Sequence, residues 1–286
     1  MMMLKFPIDM DHQQALKAGA THYAMLKQRK AVHKRTIFLK ENMAVFVIAG
    51  HKILHFEKHT VKVAAGNILL LKRGVYVMSD FVPDGLDFQS LLLYFSDEQV
   101  KRFLHKFGYA TPVPHYTATH LTLPLTPLLE AFREQYVQYF SQPSANFASL
   151  LPVKQYELFL LLLDSPQRAA IQGFLQHIVQ AQPEDIAWVV KTHLFQPLTL
   201  PELARLSGRS LASFKRDFQQ QYHMPPRRWI NEQRLAYAHT LLQTTSKQVA
   251  EIAIECGFEN IPHFIRSFRQ EYGTTPSAIR TKNAII

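Results

Sequence analysis

The 286-residue chain contains one cysteine, Cys256, which excludes an intramolecular disulfide framework and argues against a cysteine-based zinc site. It has no run of 18 apolar residues: the longest candidate, LFLLLLD, ends at Asp164 after too few residues to cross a bilayer. The opening MMMLKFPIDMDHQQ carries neither an extended apolar core nor a small-residue cleavage site, so no secretion signal is expected. Acidic residues are missing altogether from residues 12–40, which hold Lys17, Lys27, Arg29, Lys30, Lys34, Arg35 and Lys40. The single cysteine and the lack of a span and of a signal suit a cytoplasmic protein.

Basic residues outnumber acidic ones, 32 against 22, for a formal net charge of +10 and a pI near 9.6. Such a balance favours a polyanionic partner. The excess is spread along the chain: residues 183–286 carry 13 basic and 9 acidic residues, and residues 1–182 carry 19 and 13. The acid-free stretch reads in two ways. It is an anion site, for a carboxylate or phosphate effector or for flanking DNA, or it is a solvated basic edge that keeps strands of different molecules apart.

From Met43 to Phe95 the chain is a succession of short β-rich runs, AVFVIAG, KILHF, TVKV, NILLLK, VYVMSD and DFQSLLLYF. Turn residues separate them at Gly50-His51, Glu57-Lys58, Ala65-Gly66, Arg73-Gly74 and Pro83-Asp84-Gly85. Six strands so spaced predict a small β-barrel or a double-sheet jelly roll. No His-x-His pair occurs there, but His51, His55 and His59 share a parity along an ideal strand, which makes a metal site conceivable. A turn at Glu57-Lys58 would put His59 on another strand, so surface histidines, and no metal or other cofactor, are expected.

Ser96 is placed to cap a helix over DEQVKRFLHKF, and a second helix covers Leu128 to Phe140 after the prolines at 124 and 127. GYATPVPHYTATHLTLP, between them, reads as a loop. Two more helical stretches follow, LLPVKQYELFLLLLDS and PQRAAIQGFLQHIVQAQ. Their apolarity suits packing on the barrel, and equally a homodimer contact at residues 150–180.

Beyond residue 182 the periodicity is helical throughout. Pro183, Glu184 and Asp185 suit a helix N-terminus, with Ala187 to Leu194 as the helix. Thr199 and Glu202 form a T-x-x-E capping pair; at the matching later point Gln248 precedes Glu251, a weaker cap or one that moves to Ser246. Leu203, Ala204 and Leu206 then mark one helix, Gly208 a turn, Ser210 an N-cap, and Leu211, Phe214 and Phe218 a second helix. The same layout returns with Ile252, Ala253 and Cys256, then Gly257, Asn260, and Phe264, Ile265 and Phe268. Helix, glycine turn, helix is a helix-turn-helix signature, and glycines 49 residues apart mark an internal duplication. Within it, Cys256 reads as a small packed residue rather than a redox sensor.

The segment between the units, PPRRWINEQRLAYAHTLLQ, reads as one long helix. Residues 226–243 would span about 27 Å at ~1.5 Å per residue, close to the ~34 Å between successive major-groove faces of B-DNA. Two recognition helices could then enter adjacent major-groove segments on one face of a duplex.

Arg234, Leu235, Ala238, Leu241 and Leu242, then Glu251, Ile252, Ala253, Gly257 and Phe258, then Phe264 to Arg280 with its G-x-x-P-S ending, form a pattern that resembles the AraC/XylS family of bacterial transcription regulators. The match covers about residues 183–281. VKVAAGNILLLKRG resembles the cupin-type sensor barrel that precedes the DNA-binding half in many members, although Ala65 and Asn67 stand where a proline and an acid are common. The resemblance implies a two-domain α+β fold. A cupin-like sensor barrel would occupy residues 1–125, a helical segment for dimerisation and interdomain packing 126–182, and an all-α DNA-binding domain 183–286, with helix-turn-helix units at about 199–222 and 247–273.

It further implies a non-enzymatic, sequence-specific activator that binds a promoter operator in double-stranded DNA, engages RNA polymerase and responds to a small-molecule effector at its N-terminal domain. The layout also resembles the type III secretion activator branch of the family, in which regulatory proteins control that domain. A metal-dependent cupin enzyme with a DNA-binding tail is a third reading. A methyl-transfer repair protein is set aside, because the lone cysteine lies in the second helix-turn-helix.

Helix geometry leaves Ala212, Ser213, Lys215, Arg216 and Gln219 on the outer side of the first recognition helix. By resemblance Ala212, Lys215 and Arg216 are base contacts: Arg216 bidentate to guanine O6 and N7, Lys215 to a base or phosphate, Ala212 to a thymine methyl. In the second recognition helix the corresponding residues are Ile261, Pro262, Ile265 and Arg266, whose apolar majority predicts weaker, mainly shape-based readout. Ser210, Ser213, Gln219, Arg227, Arg228, Asn260, His263 and Arg280 are expected to contact the DNA backbone and position the domain.

Overall fold

The structure, a computed structural model, describes the chain except residues 1–2, 8–13, 19–20, 29–31, 57–58, 82–86, 110–117, 143, 181–184 and 284–286. The chain divides into two compact units, Leu4–Ala181 and Gln182–Ile286.

The first unit holds eleven described strands: β1 Leu4–Phe6, β2 Gln14–Ala18, β3 Thr21–Gln28, β4 Val32–Leu39, β5 Asn42–Ala49, β6 His51–His55, β7 Thr60–Ala64, β8 Asn67–Leu71, β9 Gly74–Phe81, β10 Phe88–Phe95 and β11 His120–Pro124. They form a five-stranded sheet, β1-β4-β9-β6-β7, and a six-stranded sheet, β11-β8-β5-β10-β3-β2. From β5 to β10 the chain passes repeatedly between the two, as in a double-sheet jelly roll. Gly50 (φ 73°) and Gly66 (φ 82°) take the left-handed conformation at two of the expected turns. The turns expected at Glu57-Lys58 and Pro83-Asp84-Gly85 lie outside the described residues.

The six expected strands all form, but they are only part of the two sheets. The acid-free stretch supplies β2 to β4, and β11 rises from the segment read as a loop. In β4, VHKRTIFL, basic residues interrupt the apolar pattern, and HLTLP ends on a proline that an edge strand tolerates. Part of the basic stretch is neutralised internally: Arg35 and Lys52 both pair with Asp80, Arg35 at 2.6 Å, and the Asp80 side chain is wholly buried. Lys27 pairs with Asp87 at 3.4 Å. Lys34 is exposed, while Arg29 and Lys30 lie outside the described residues.

Strands β5, β8 and β10 are buried on both faces, which is why they read as continuous apolar runs rather than alternating ones. Val45, Val47, Leu69, Leu71, Leu92 and Tyr94 meet Ile37, Leu39, Leu54, Val63 and Met78 of the other sheet. Their neighbours Ala44, Phe46, Ile68, Leu70, Leu91 and Leu93 pack instead with four helices, α1 Asp97–Lys106, α2 Pro127–Ser141, α3 Phe147–Leu163 and α4 Arg168–Gln180. Helices and strands thus share one core. Ser96 caps α1 as expected, its Oγ accepting from the Gln99 N–H at 3.2 Å. Helix α3 has apolar residues on its exposed as well as its buried side: Leu151, Leu158, Phe159 and Leu162 are buried, whereas Val153 is 62% and Leu160 36% exposed. No helix among the described residues is long and apolar enough to cross a membrane.

The second unit is helical: α5 Ile186–Thr192, α6 Leu200–Leu206, α7 Leu211–Tyr222, α8 Pro226–Thr244, α9 Val249–Glu255, α10 Ile261–Tyr272 and α11 Pro276–Asn283. Asp185 caps α5, which ends two residues before the expected Leu194. The capping box of Thr199 and Glu202 forms. In the second copy the cap does not move to Ser246: the Glu251 carboxylate accepts from the Gln248 N–H at 2.7 Å, so Gln248 is the N-cap.

The duplication is legible in three dimensions. Phe214, Phe218, Tyr222 and Pro226 recur 50 residues on as Phe264, Phe268, Tyr272 and Pro276, whereas the turn glycines are 49 apart. The second turn, Gly257-Phe258-Glu259-Asn260, therefore holds one residue more than Gly208-Arg209-Ser210, and Phe258 drops into the second core. Both turn glycines are left-handed, at φ 70° and 81°.

Helix α10 ends on Gly273 (φ 69°), but at the equivalent end of α7 His223 takes φ 53°. A side chain in that conformation carries a steric penalty that glycine escapes. His223→Gly is therefore expected to stabilise the unit by about 0.5–1 kcal/mol, seen as a raised melting temperature; an unchanged or lowered one would mean that the imidazole contributes contacts of its own.

Candidate nucleic-acid interface

Helices α7 and α10 are each pinned by two phenylalanines with no exposure, Phe214 and Phe218 in one, Phe264 and Phe268 in the other. Each is also capped, which fixes where it begins. Ser210 Oγ accepts from the Ser213 N–H at 3.1 Å, and Asn260 Oδ1 from the His263 N–H at 2.8 Å. On α7 this leaves Ala212, Lys215, Arg216 and Gln219 exposed and Ser213 half-buried. On α10 Pro262, His263 and Arg266 are exposed, while Ile261 and Ile265 lean on the second core and are half-buried.

A cleft of about 900 Å³ lies within the helical unit between its two helix-turn-helix motifs, with Lys215, Arg227, Arg228, Asn260 and His263 among its lining residues, and Glu259 as an acidic member. Several basic groups facing one concavity suit a sugar-phosphate backbone. Arg228 also pairs with Glu232 at 2.8 Å. Arg280 is half-buried and donates through Nη2 to the Lys247 carbonyl, so it ties α11 to the approach of α9, and it is not among the residues that line the cleft.

The geometry of the two units is held by Arg234, in the middle of α8. Its guanidinium donates from Nε to the Leu194 carbonyl (2.7 Å), from Nη1 to the Gly257 carbonyl (2.8 Å) and from Nη2 to the Gln196 carbonyl. One side chain thus joins the loop after α5, the linker helix and the turn of the second helix-turn-helix. Burial lowers its pKa to about 10, so it remains charged at neutral pH. The available sequence signal was an arginine on the helix with no acid three or four residues away.

A second network missed from sequence lies on α7. Asp217 accepts from Arg209 Nε at 3.3 Å, from Ser213 Oγ at 3.3 Å and from Arg216 Nε at 3.1 Å. Its signal was the Ser213 to Asp217 spacing of four, one helical turn.

The barrel histidines do not converge. His51 and His55 lie on β6, with His55 Nε2 2.7 Å from Ser79 Oγ, whereas His59 precedes β7 and stacks on Phe56 at 4.8 Å. Among the described residues no group of three or more His, Cys, Asp or Glu side chains could hold a metal ion. Cys256 is fully buried in the second helical core, and burial pushes its thiol up to about 12, an unreactive state at neutral pH.

Residues 42–174 match the family described as the ExsA N-terminal regulatory domain, and residues 203–282 match a helix-turn-helix domain family. The chain is 28% identical over 249 residues to the HTH-type transcriptional regulator ExsA of Pseudomonas aeruginosa, covering 84% of this chain and 86% of that one. It is 31% identical over 225 residues to the virulence regulon transcriptional activator VirF of Yersinia enterocolitica, covering 75% and 80%. The thermoregulatory protein LcrF of Yersinia pestis is 30% identical over the same shares. With two capped helix-turn-helix units behind a strand-rich regulatory half, and such relatives matched over most of both chains, this protein belongs to the AraC/XylS family of DNA-binding transcription regulators.

Proposed function

We propose that the chain is a cytoplasmic, non-enzymatic activator that reads a promoter operator with Ala212, Lys215 and Arg216 on α7 and, less stringently, with Ile261, Pro262, Ile265 and Arg266 on α10. The observation that carries this reading is the pair of pinned and capped helices beside one basic cleft. Ser210, Ser213, Gln219, Arg227, Arg228, Asn260, His263 and Arg280 contact the sugar-phosphate backbone. The DNA-binding domain comprises residues 183–286, and residues 1–125 with the helical segment 126–182 supply regulation, a homodimer contact through the outer face of α3, and access to RNA polymerase.

Two inputs fit the regulatory half: a small-molecule effector or a regulatory protein. The interior between the sheets is filled by side chains of both, and α3 leaves Val153 and Leu160 exposed. The filled interior favours the protein, while the exposed face of α3 suits the homodimer contact and does not distinguish the two inputs. Saturable thermal stabilisation by a small molecule, with no stable protein complex, would reverse that preference.

The DNA reading is tested by selecting a site from a random duplex library with the full chain and then comparing Arg216→Ala on the selected and scrambled duplexes. A loss of about 1–3 kcal/mol confined to the selected site is expected, with relaxed preference at one base pair. Equal loss on both duplexes would make Arg216 a phosphate contact.

A further inference from the structure

The Asp217 carboxylate collects more donors than an exposed helix needs. On Oδ2 it accepts from Arg209 Nε and Ser213 Oγ, each at 3.3 Å, and on Oδ1 from Arg216, with Nε at 3.1 Å and Nη2 at 3.0 Å. Arg216 Nη2 also lies 3.2 Å from Ser213 Oγ. Arg209 is anchored in its turn: its Nη1 donates to the Ser207 carbonyl at 3.0 Å, and its side chain is only 18% exposed. The network therefore runs from the turn after α6, through Asp217, to a guanidinium that is itself 74% exposed.

A bidentate contact to guanine needs two N–H groups held in one plane. An arginine on a bare helix surface visits many rotamers and loses that freedom on binding. A carboxylate on the Nε edge restricts the plane before DNA arrives. Arg216 Nη1 has no hydrogen-bond partner among the described residues, so it remains for a base, and the outer N–H of Nη2 completes the fork when it exchanges Ser213 Oγ for the base. The second unit lacks the device: Ser267 stands in the place of Asp217, and Arg266 has no hydrogen-bond or ion-pair partner among the described residues.

We propose that Asp217 is a positioning residue for base recognition: braced by Arg209 and Ser213, it pre-orients the Arg216 guanidinium, and it makes the first helix-turn-helix the more discriminating of the two. This rests on Arg216 being a base reader. A carboxylate close to DNA otherwise only repels phosphate, which gives the opposite sign on removal.

The test uses the full chain and the duplex it selects. Affinities of wild type, Asp217→Ala, Asp217→Asn, Arg216→Ala and the Asp217→Ala, Arg216→Ala double variant are measured on that duplex, on its three substitutions at the base pair read by Arg216, and on a scrambled duplex. Asp217→Ala is expected to lower base preference by about tenfold while affinity for scrambled DNA holds or rises. Asp217→Asn, which keeps an amide oxygen for Arg216 Nε, should fall between. Once Arg216 is alanine, removing Asp217 should change base preference no further. Tighter binding of cognate and scrambled DNA alike, with base preference intact, would overturn the proposal, as would an equal weakening on both. If Arg216→Ala itself loses equally on both duplexes, the base-reader assignment fails first and the proposal goes with it.

Discussion

Arg234→Ala is expected to cost the C-terminal unit about 3–5 kcal/mol. Hydrogen bonds from a charged donor are worth about 1.5–3 kcal/mol each, and this guanidinium makes three, to carbonyls of Leu194, Gln196 and Gly257. The sum is not additive, because those carbonyls regain some water when the side chain leaves. Arg234→Lys should rescue little: a single ammonium cannot meet three carbonyls spread around a planar fork. Both tryptophans, Trp188 and Trp229, lie in this unit, so their fluorescence reports its unfolding separately from the strand-rich half. The unfolding midpoint in urea should fall clearly, and binding to a two-part site should weaken as the second reader loses its place. A midpoint equal to wild type would show that the three bonds merely replace equivalent bonds to water.

Gly257→Ala attacks the same junction from the other side and is expected to cost about 2–5 kcal/mol. A left-handed φ of 81° penalises any side chain by about 1–2 kcal/mol. The added Cβ would also lie 2.8 Å from the Phe195 carbonyl oxygen and 2.9 Å from Arg234 Cζ, and such overpacking adds about 1–3 kcal/mol. Gly273→Ala separates the two contributions. That glycine has φ 69° but nothing within 4 Å of its Cβ position, so only the conformational penalty applies. Equal losses at Gly257 and Gly273 would refute the close approach. Removing Arg234 frees part of the space an alanine at 257 needs, so Arg234→Ala with Gly257→Ala should cost less than the sum of the two. Full additivity would mean that the Phe195 carbonyl alone sets the limit.

The helical half was legible because its signals are local. N-caps, turn glycines and apolar residues at helical spacing act within one or two turns, and the duplication presented them twice. The six central strands were legible for a similar reason, since their turns are marked by Gly50 and Gly66 and their residues are apolar. Strands β3, β4 and β11 were not, because the sheets that stabilise them recruit distant partners: β3 pairs with β10, β4 with β9 and β11 with β8, and β2 is an edge strand laid on β3. A strand such as β4, with His33, Lys34 and Arg35 in succession, carries little alternation to follow. Propensity is a weak guide where burial is decided by the neighbouring sheet.

By itself, then, the sequence determined the class of the protein, the number of its helix-turn-helix units and the outward positions of Ala212, Lys215 and Arg216, since helical period and capping are properties of short segments. Tertiary structure alone decided that Arg234 joins carbonyls 23 and 40 residues away, that Ile261 and Ile265 are shared with a core, and that Asp217 is braced from the preceding turn. Each of these depends on which groups meet once the helices have packed, and apart from the Ser213 to Asp217 spacing no local pattern encodes that meeting.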